Sequence, residues 1–415
     1  MGQYKFEGDI SSLNERHIAF MSTVISQQDI EVKKVTFHSV GKPGDNYVAN
    51  VKRIHIEGTN RSMKMIVKIA PTSEVFRKSL HVDIAFNREQ TMYTEVLPKL
   101  VSLQKAAGVP EEERLRYAKC YGSLDESPNE VIMLEDLGEL DFVMLDKYTP
   151  LPDECVRSML KNFANLHSLS YVLKKKEPDT FYNFTSKMKS LWPLLAETPE
   201  FAANLEHIEG AVLSVLDDDV YRSVVKNKIP DLFNTYLKLV KEDVGKNGVI
   251  TQGDAWTNNI MFKYVGDTLV QSIMIDYQIS FHHSPAMDLL YMIFNCTDHE
   301  TRSKNFYDWI DYYHSELDKN LSNFGLKANL VCPRDLLDAD IKRIARPMMG
   351  VSLLLFNMLL RDAKEASVVV ENMNAGGFLE AIKSMSGQEL QKESLARGKK
   401  RMEDLINSCI QLGFI

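Results

Sequence analysis

The chain is short of several things, and each shortage removes a class of protein. Of its 415 residues only five are cysteines, Cys120, Cys155, Cys296, Cys332 and Cys409, odd in number and far apart. No CxxC pair is there to hold zinc or run thiol exchange, so a reduced, cytoplasmic setting is expected. Basic residues are not in excess either, with 49 Lys and Arg against 57 Asp and Glu and a formal charge of −8. Neutralising a phosphate backbone needs a clustered basic face, so no nucleic-acid partner is expected. The longest basic runs, Lys174 to Lys176 and Arg397 to Arg401, are expected at helix ends or on solvated faces.

Apolar runs long enough to span a bilayer are also missing. The most apolar stretch, Met348 to Leu360, contains Ser352 and Asn357 and is too short, so it reads as a buried helix. The segment Met1 to Asp9 is polar with no apolar signal region, and Phe6 stands where a myristoylation pattern wants Ser or Thr. No stable membrane association and no obligatory protein partner are expected. What remains is 44% apolar and 26% charged, enough to bury a sizeable core in one extended domain or two lobes.

The pattern changes character near residue 135. Before it, Val32 to Phe37, Tyr47 to Ile56, Met63 to Ile69 and Val131 to Leu134 have the branched apolar enrichment of strands. Beyond it, Val156, Met159, Phe163, Leu166 and Leu169 follow helical spacing from a start near Pro152 and Asp153. Phe306, Trp309, Ile310, Tyr313 and Leu317 repeat the rule as a core stripe, while Tyr307 and Tyr312 fall off it and become candidates for a substrate wall. The expected fold class is α+β: a β-rich N-terminal lobe over residues 1–134, a hinge over 135–140, and a larger helical lobe over 141–415. A seam of this kind favours a ligand cleft.

The densest chemistry lies in Gly248 to Asp276. Two apolar runs, Ile260 to Tyr264 and Val270 to Ile275, flank Val265-Gly266-Asp267-Thr268, which has hairpin-turn chemistry. Folding the hairpin brings Asn259, just before the first strand, near Asp276, just after the second. These are hard oxygen donors of the kind that hold Mg²⁺. Asp254 enters the hairpin from the preceding loop and can approach the same end. One carboxylate for a nucleophile and two oxygen ligands for a metal are the parts of metal-assisted phosphoryl transfer. Singly, each is more often a turn former or cap; the ordered set is far more specific.

The stretches TQGDAWTNNIMF, IMIDYQIS and SPAMDLLYMI resemble the catalytic core of the aminoglycoside and choline kinase superfamily. The tryptophan-containing GDxWxxN form is similar to its ecdysteroid kinase-like family. That resemblance implies a protein-kinase-like fold of two lobes, ATP and Mg²⁺ as cofactors, and a small-molecule alcohol as acceptor, first of all an ecdysteroid. Its action would be hormone inactivation, storage or detoxification.

The same resemblance assigns residues. Asp254 would orient the acceptor hydroxyl and take its proton, and Asn259 and Asp276 would hold Mg²⁺. Lys68, on the strand Met65-Ile66-Val67-Lys68, would contact the nucleotide phosphates and pair with Glu89, with Glu95 close by. Gly44, Asp45 and Asn46 belong to a GDNY turn over the phosphates. Met133, Glu135 and Leu137 belong to the hinge, with Met133 behind the adenine and Leu137 beside it. His167 and Asp288 match scaffold positions that brace the catalytic loop. One departure stands out: Gln252 replaces the superfamily's usual His before Gly-Asp, although a glutamine amide can also donate and accept. A choline-like acceptor and a catalytically silent binder stay open as alternatives. Only eight residues separate Asp276 from Pro285, too few for a peptide-docking activation segment.

Overall fold

A computed structural model describes residues 4–42, 45, 48–197, 199–242, 244–387 and 390–415. Six strands form the N-terminal sheet: β1 (Phe6–Gly8), β2 (Val32–Ser39), β3 (Asn50–Gly58), β4 (Ser62–Ile69), β5 (Cys120–Leu124) and β6 (Val131–Glu135), in the order β1-β2-β3-β4-β6-β5. Strand alternation sorts their side chains onto two faces. Val35, Phe37, Ile54, Ile56, Met65, Val67 and Met133 form an outer core. It is covered by α1 (Glu15–Ser26), which buries Met21, Val24 and Ile25 and is capped by Asn14 accepting from the His17 N–H. The opposite residues, Val51, Arg53, Ile66, Lys68 and Leu134, turn toward a cleft.

Between β4 and β5 the chain runs through α2 (Glu74–Leu80), α3 (Val82–Thr91), a π-helical turn Met92–Val96, and α4 (Leu97–Ala106). Together these helical elements run from Glu74 to Ala106. Pro98 lacks an N–H and would leave a carbonyl unpaired in a regular α-helix; it falls at the start of α4, directly after the wider turn.

The larger lobe is helical. α5 (Asp153–Lys176) buries Val156, Met159, Phe163, Leu166 and Leu169 and packs along the helix His299–Ser322, whose Phe306, Trp309, Ile310, Tyr313 and Leu317 are buried as the stripe predicts. Lys174 to Lys176 end α5 in its last turn. Arg397 to Arg401 departs from expectation, because it lies inside the helix Lys392–Gln411 and Arg401 is buried, donating to the Thr297 carbonyl at 2.9 Å. Met348 to Leu359 is the buried half of the helix Arg334–Leu359. Among the described residues no single helix is long and apolar enough to cross a membrane.

Short strands place the loops that matter. β7 (Phe142–Val143), β9 (Ile260–Val265) and β10 (Thr268–Met274) make a small sheet in the order β10-β9-β7, while β8 (Val249–Ile250) pairs with β11 (His282–His283). Val265 opposes Thr268 across Gly266 and Asp267, and Ile260 opposes Met274, so the expected hairpin forms with a bulge at Val270.

Candidate active site

The first charged cluster comes from one strand, one helix and the end of the hairpin. Lys68, near the end of β4, reaches Glu89 Oε2 in α3 at 2.6 Å and Asp276 Oδ1 at 3.1 Å. Burial acts to lower the Lys68 ammonium, but the carboxylates of Asp276 and Glu89 outweigh it and hold the group above the usual lysine range. Lys68 therefore stays charged. Glu95 is exposed and takes no part in this cluster.

The loop carrying Asp254 is stitched down by its neighbours. Gly253 has φ +88°, and an added Cβ would lie 2.5 Å from the Ile279 carbonyl oxygen, so only glycine allows this crossing. The Gln252 N–H donates to Asp288 Oδ2 at 2.8 Å, and the Gly253 N–H donates to Asp288 Oδ1 at 2.9 Å. Gln252 Nε2 donates to the carbonyls of Ile275 and Asp276 at 2.9 Å, while its Oε1 accepts from the Asp254 N–H at 2.6 Å. One glutamine thus ties the two acidic segments together, donating and accepting. His167 is buried between Asp288 (3.1 Å) and the Tyr313 hydroxyl (2.9 Å), a brace behind the loop.

Asp254 Oδ1 accepts from the Tyr291 hydroxyl at 2.6 Å, and Oδ2 accepts from Asn259 Nδ2 at 2.9 Å. Burial pushes its carboxyl up to about 7, and the charge of Asp276 adds to this against the hydrogen bonds from Tyr291 and Asn259. Such a value suits a proton acceptor working near neutral pH.

Asn259 spends its amide nitrogen on Asp254, leaving the amide oxygen for a cation. The Ile275 N–H donates to the Asn259 carbonyl at 3.0 Å, so Asn259 and Asp276 flank the open end of the hairpin. An amide oxygen and a carboxylate fit Mg²⁺, which completes its shell with water and phosphate. Among the described residues no group of three or more His, Cys, Asp or Glu could hold a metal unaided.

Two cavities meet at Lys68, Asn259 and Asp276. The first, of about 210 Å³, is bounded by Val51, Ile66 and Leu134 from the sheet, by Met261 and Ile275 from the hairpin, and by Glu135 and Leu137 at the hinge end. Apolar walls above and below give it the shape of a slot for a planar ring. The second, of about 170 Å³, is walled by Trp192, Trp256, Tyr291, Leu354, Phe378 and Met385. Among the described residues Asp254 lines the second and not the first, whereas Asp45 lines both.

Several residues lie away from their expected positions. Met133 does not line the first cavity: β6 alternates, so Met133 joins the outer core and Leu134 faces the slot. Gly44 and Asn46 lie outside the described residues. Tyr307 and Tyr312 line neither cavity; Tyr307 is exposed and Tyr312 lies beneath the Arg157 guanidinium. Sequence reasoning missed Tyr291, although it stands one helical turn after Asp288 in SPAMDLLY, a spacing that puts both on one face. Trp192, Phe378 and Met385 carried no usable signal, since apolar residues on helices read as core.

A model of the ecdysteroid kinase-like family matches residues 43–326. No curated protein matches the sequence. Among solved structures, a mutant aminoglycoside 2'-phosphotransferase-IIIa bound to GDP shares 13% identity at a TM-score of 0.45, covering 96% of this chain and 99% of that one. A Plasmodium vivax ethanolamine kinase shares 12% at 0.43, covering 97% and 89%. A spectinomycin phosphotransferase in complex with ADP and spectinomycin shares 11% at 0.46, covering 94% and 97%.

Proposed function

The chain belongs to the ecdysteroid kinase-like family, and from that premise we propose that it transfers the γ-phosphate of ATP to a hydroxyl of a small lipophilic alcohol, with an ecdysteroid as the first acceptor to test. The observation that carries this reading is the pair of cavities meeting at Lys68, Asn259 and Asp276, with Asp254 facing the second. A slot for a planar base and a pocket for an alcohol then share one set of phosphate-binding residues.

In this reading Glu135 and Leu137 border the adenine, Lys68 holds the phosphates, and Glu89 fixes the direction of Lys68. Asn259 and Asp276 would hold Mg²⁺, which supplies local neutralisation of phosphate charge. Tyr291 and Asn259 aim the Asp254 carboxylate, which takes the proton of the acceptor hydroxyl. The acceptor oxygen forms the new bond to phosphorus as the bond to ADP breaks.

The acceptor wall favours an uncharged molecule. Its aromatic members could face an amino alcohol's cation, but its acids Asp45, Asp254 and Asp276 are already engaged by Lys147, Tyr291 and Lys68. The silent-binder reading rests on Gln252, and the three hydrogen bonds of that side chain favour a loop held for catalysis.

Transfer of labelled γ-phosphate to a panel of steroid and amino alcohols tests the proposal. The wild type should phosphorylate a steroid alcohol, and Asp254→Asn should lower that rate by about a thousandfold. Absence of transfer to every acceptor, with Mg-ATP bound, would refute the enzyme reading.

A further inference from the structure

The loop joining β2 to β3 carries an acid where polyphosphate is expected. Asp45 borders both cavities, and an uncompensated carboxylate there would repel a nucleotide. Its Oδ2 accepts from the Lys42 N–H at 2.7 Å, which caps the loop from within. Its Oδ1 lies 3.5 Å from Lys147 Nζ and accepts from Asn258 Nδ2 at 3.3 Å. Both partners stand across the cleft, Lys147 after β7 and Asn258 in the short turn Thr257–Asn259 that follows Asp254.

Lys147 is only 8% exposed. Its ammonium lies 5.9 Å from the centre of the Trp256 ring and 5.5 Å from that of Tyr148. An enclosed cation is costly unless an acid and polarisable rings replace its water, and here both are present. The three groups thus form a row: phosphate-loop acid, connector lysine, catalytic-loop tryptophan.

We propose that Lys147 is a positioning residue that fastens the phosphate loop to the catalytic loop, holding Asp45 on one side and the Trp256 ring on the other. The proposal rests on the first cavity being a nucleotide site. It gives the tryptophan of GDAWTNN a task that proton transfer does not require, as the platform for the cation. It also explains how an acid can sit beside phosphates: its charge is cancelled by a residue that touches no reacting atom.

The test is a double-substitution cycle on the full chain, read by equilibrium binding of mant-ATP with Mg²⁺. Lys147→Met should weaken binding at least tenfold, and Lys147→Arg should stay within threefold of wild type. Asp45→Asn should change affinity by factors at least fivefold different in the wild-type and Lys147→Met backgrounds. Equal effects in both backgrounds, or unchanged affinity in Lys147→Met despite a lowered melting temperature, would overturn the proposal and leave the nucleotide site intact. If the wild type binds no nucleotide, the function reading itself fails and this inference with it. Lys147→Gln, which keeps a donor and most of the length, replaces Lys147→Met in the cycle if the latter does not fold.

Discussion

The two cavities share four residues, Asp45, Lys68, Asn259 and Asp276, and are built in opposite ways. The first, proposed to take the nucleotide, is assembled from sheet strands, one hairpin and the helical stretch carrying Glu89 and Tyr93, and its polar members come from short contiguous motifs. The second, proposed to take the acceptor, is assembled from residues as far apart as Trp192, Leu354 and Phe378, and apart from the shared residues, Asp254, Gln278 and the Tyr291 hydroxyl its wall is apolar. The contrast separates chemistry from selectivity. Phosphoryl transfer needs fixed charges at fixed spacing, which local backbone supplies; choosing an alcohol needs shape, which helix packing supplies and can change without disturbing the charges.

The largest expected effect falls where the cavities meet. Asp276→Asn should remove the Mg²⁺ dependence of nucleotide binding and lower turnover by about a thousandfold or more, while acceptor binding stays within about twofold. Magnesium titrations of ATP binding read the first part directly. A variant with wild-type Mg²⁺ dependence would break the assignment of Asp276 as a ligand.

A smaller effect is expected on the acceptor side. The helix Ala363–Gly387 is interrupted at Gly377, where φ is +81°. An added Cβ there would lie 2.8 Å from Ser79 Cβ in α2. The next residue, Phe378, donates its N–H to Ser79 Oγ at 3.2 Å and lines the second cavity. Phe378→Ala should raise KM for the acceptor by about tenfold and leave KM for ATP within about twofold. Equal changes in both constants would show that the two cavities are not separable.

What is legible in the sequence follows the same division. Strand alternation around Lys68 and the hairpin about Gly266 and Asp267 are local, so the slot and the approach of Asn259 to Asp276 can be read from short contiguous segments alone. Met133 shows how narrow that reading is. The hinge strand is plain from its composition, yet its register relative to the slot is set by pairing with β4, and a shift of one residue exchanges Met133 for Leu134. Phe378 and Met385 are hidden because a pocket wall and a core face have the same apolar spacing. Only tertiary packing against α2 turns Phe378 into a wall. Arg401 escapes for a related reason, since a charged run gives no sign that a helix will bury one of its members against the Thr297 carbonyl.

The smallest expected effect is on stability, and its sign separates a residue kept for function from one kept for folding. Asp254 titrates near 7 in the folded chain against an ordinary value of 3.8. At pH values below the ordinary value both states carry the proton and the site costs nothing. Between the two values the folded chain holds a proton that the unfolded chain has shed, so stability falls as pH rises; above about 7 the full cost of the buried charge is present. Asp254→Asn removes that charge while keeping an oxygen for the Tyr291 hydroxyl. The ligand-free variant should therefore melt higher than wild type by about 2 °C at pH 8. At pH 5 the gain should be smaller. Asp254 faces a cavity open to solvent, so water screens part of the cost, which is why the shift is expected to be modest while the loss of turnover is large. Melting curves of both proteins at the two pH values decide the matter: a variant less stable than wild type at pH 8 would place Asp254 among the residues that hold the fold, and a gain independent of pH would refute the buried charge as its cause.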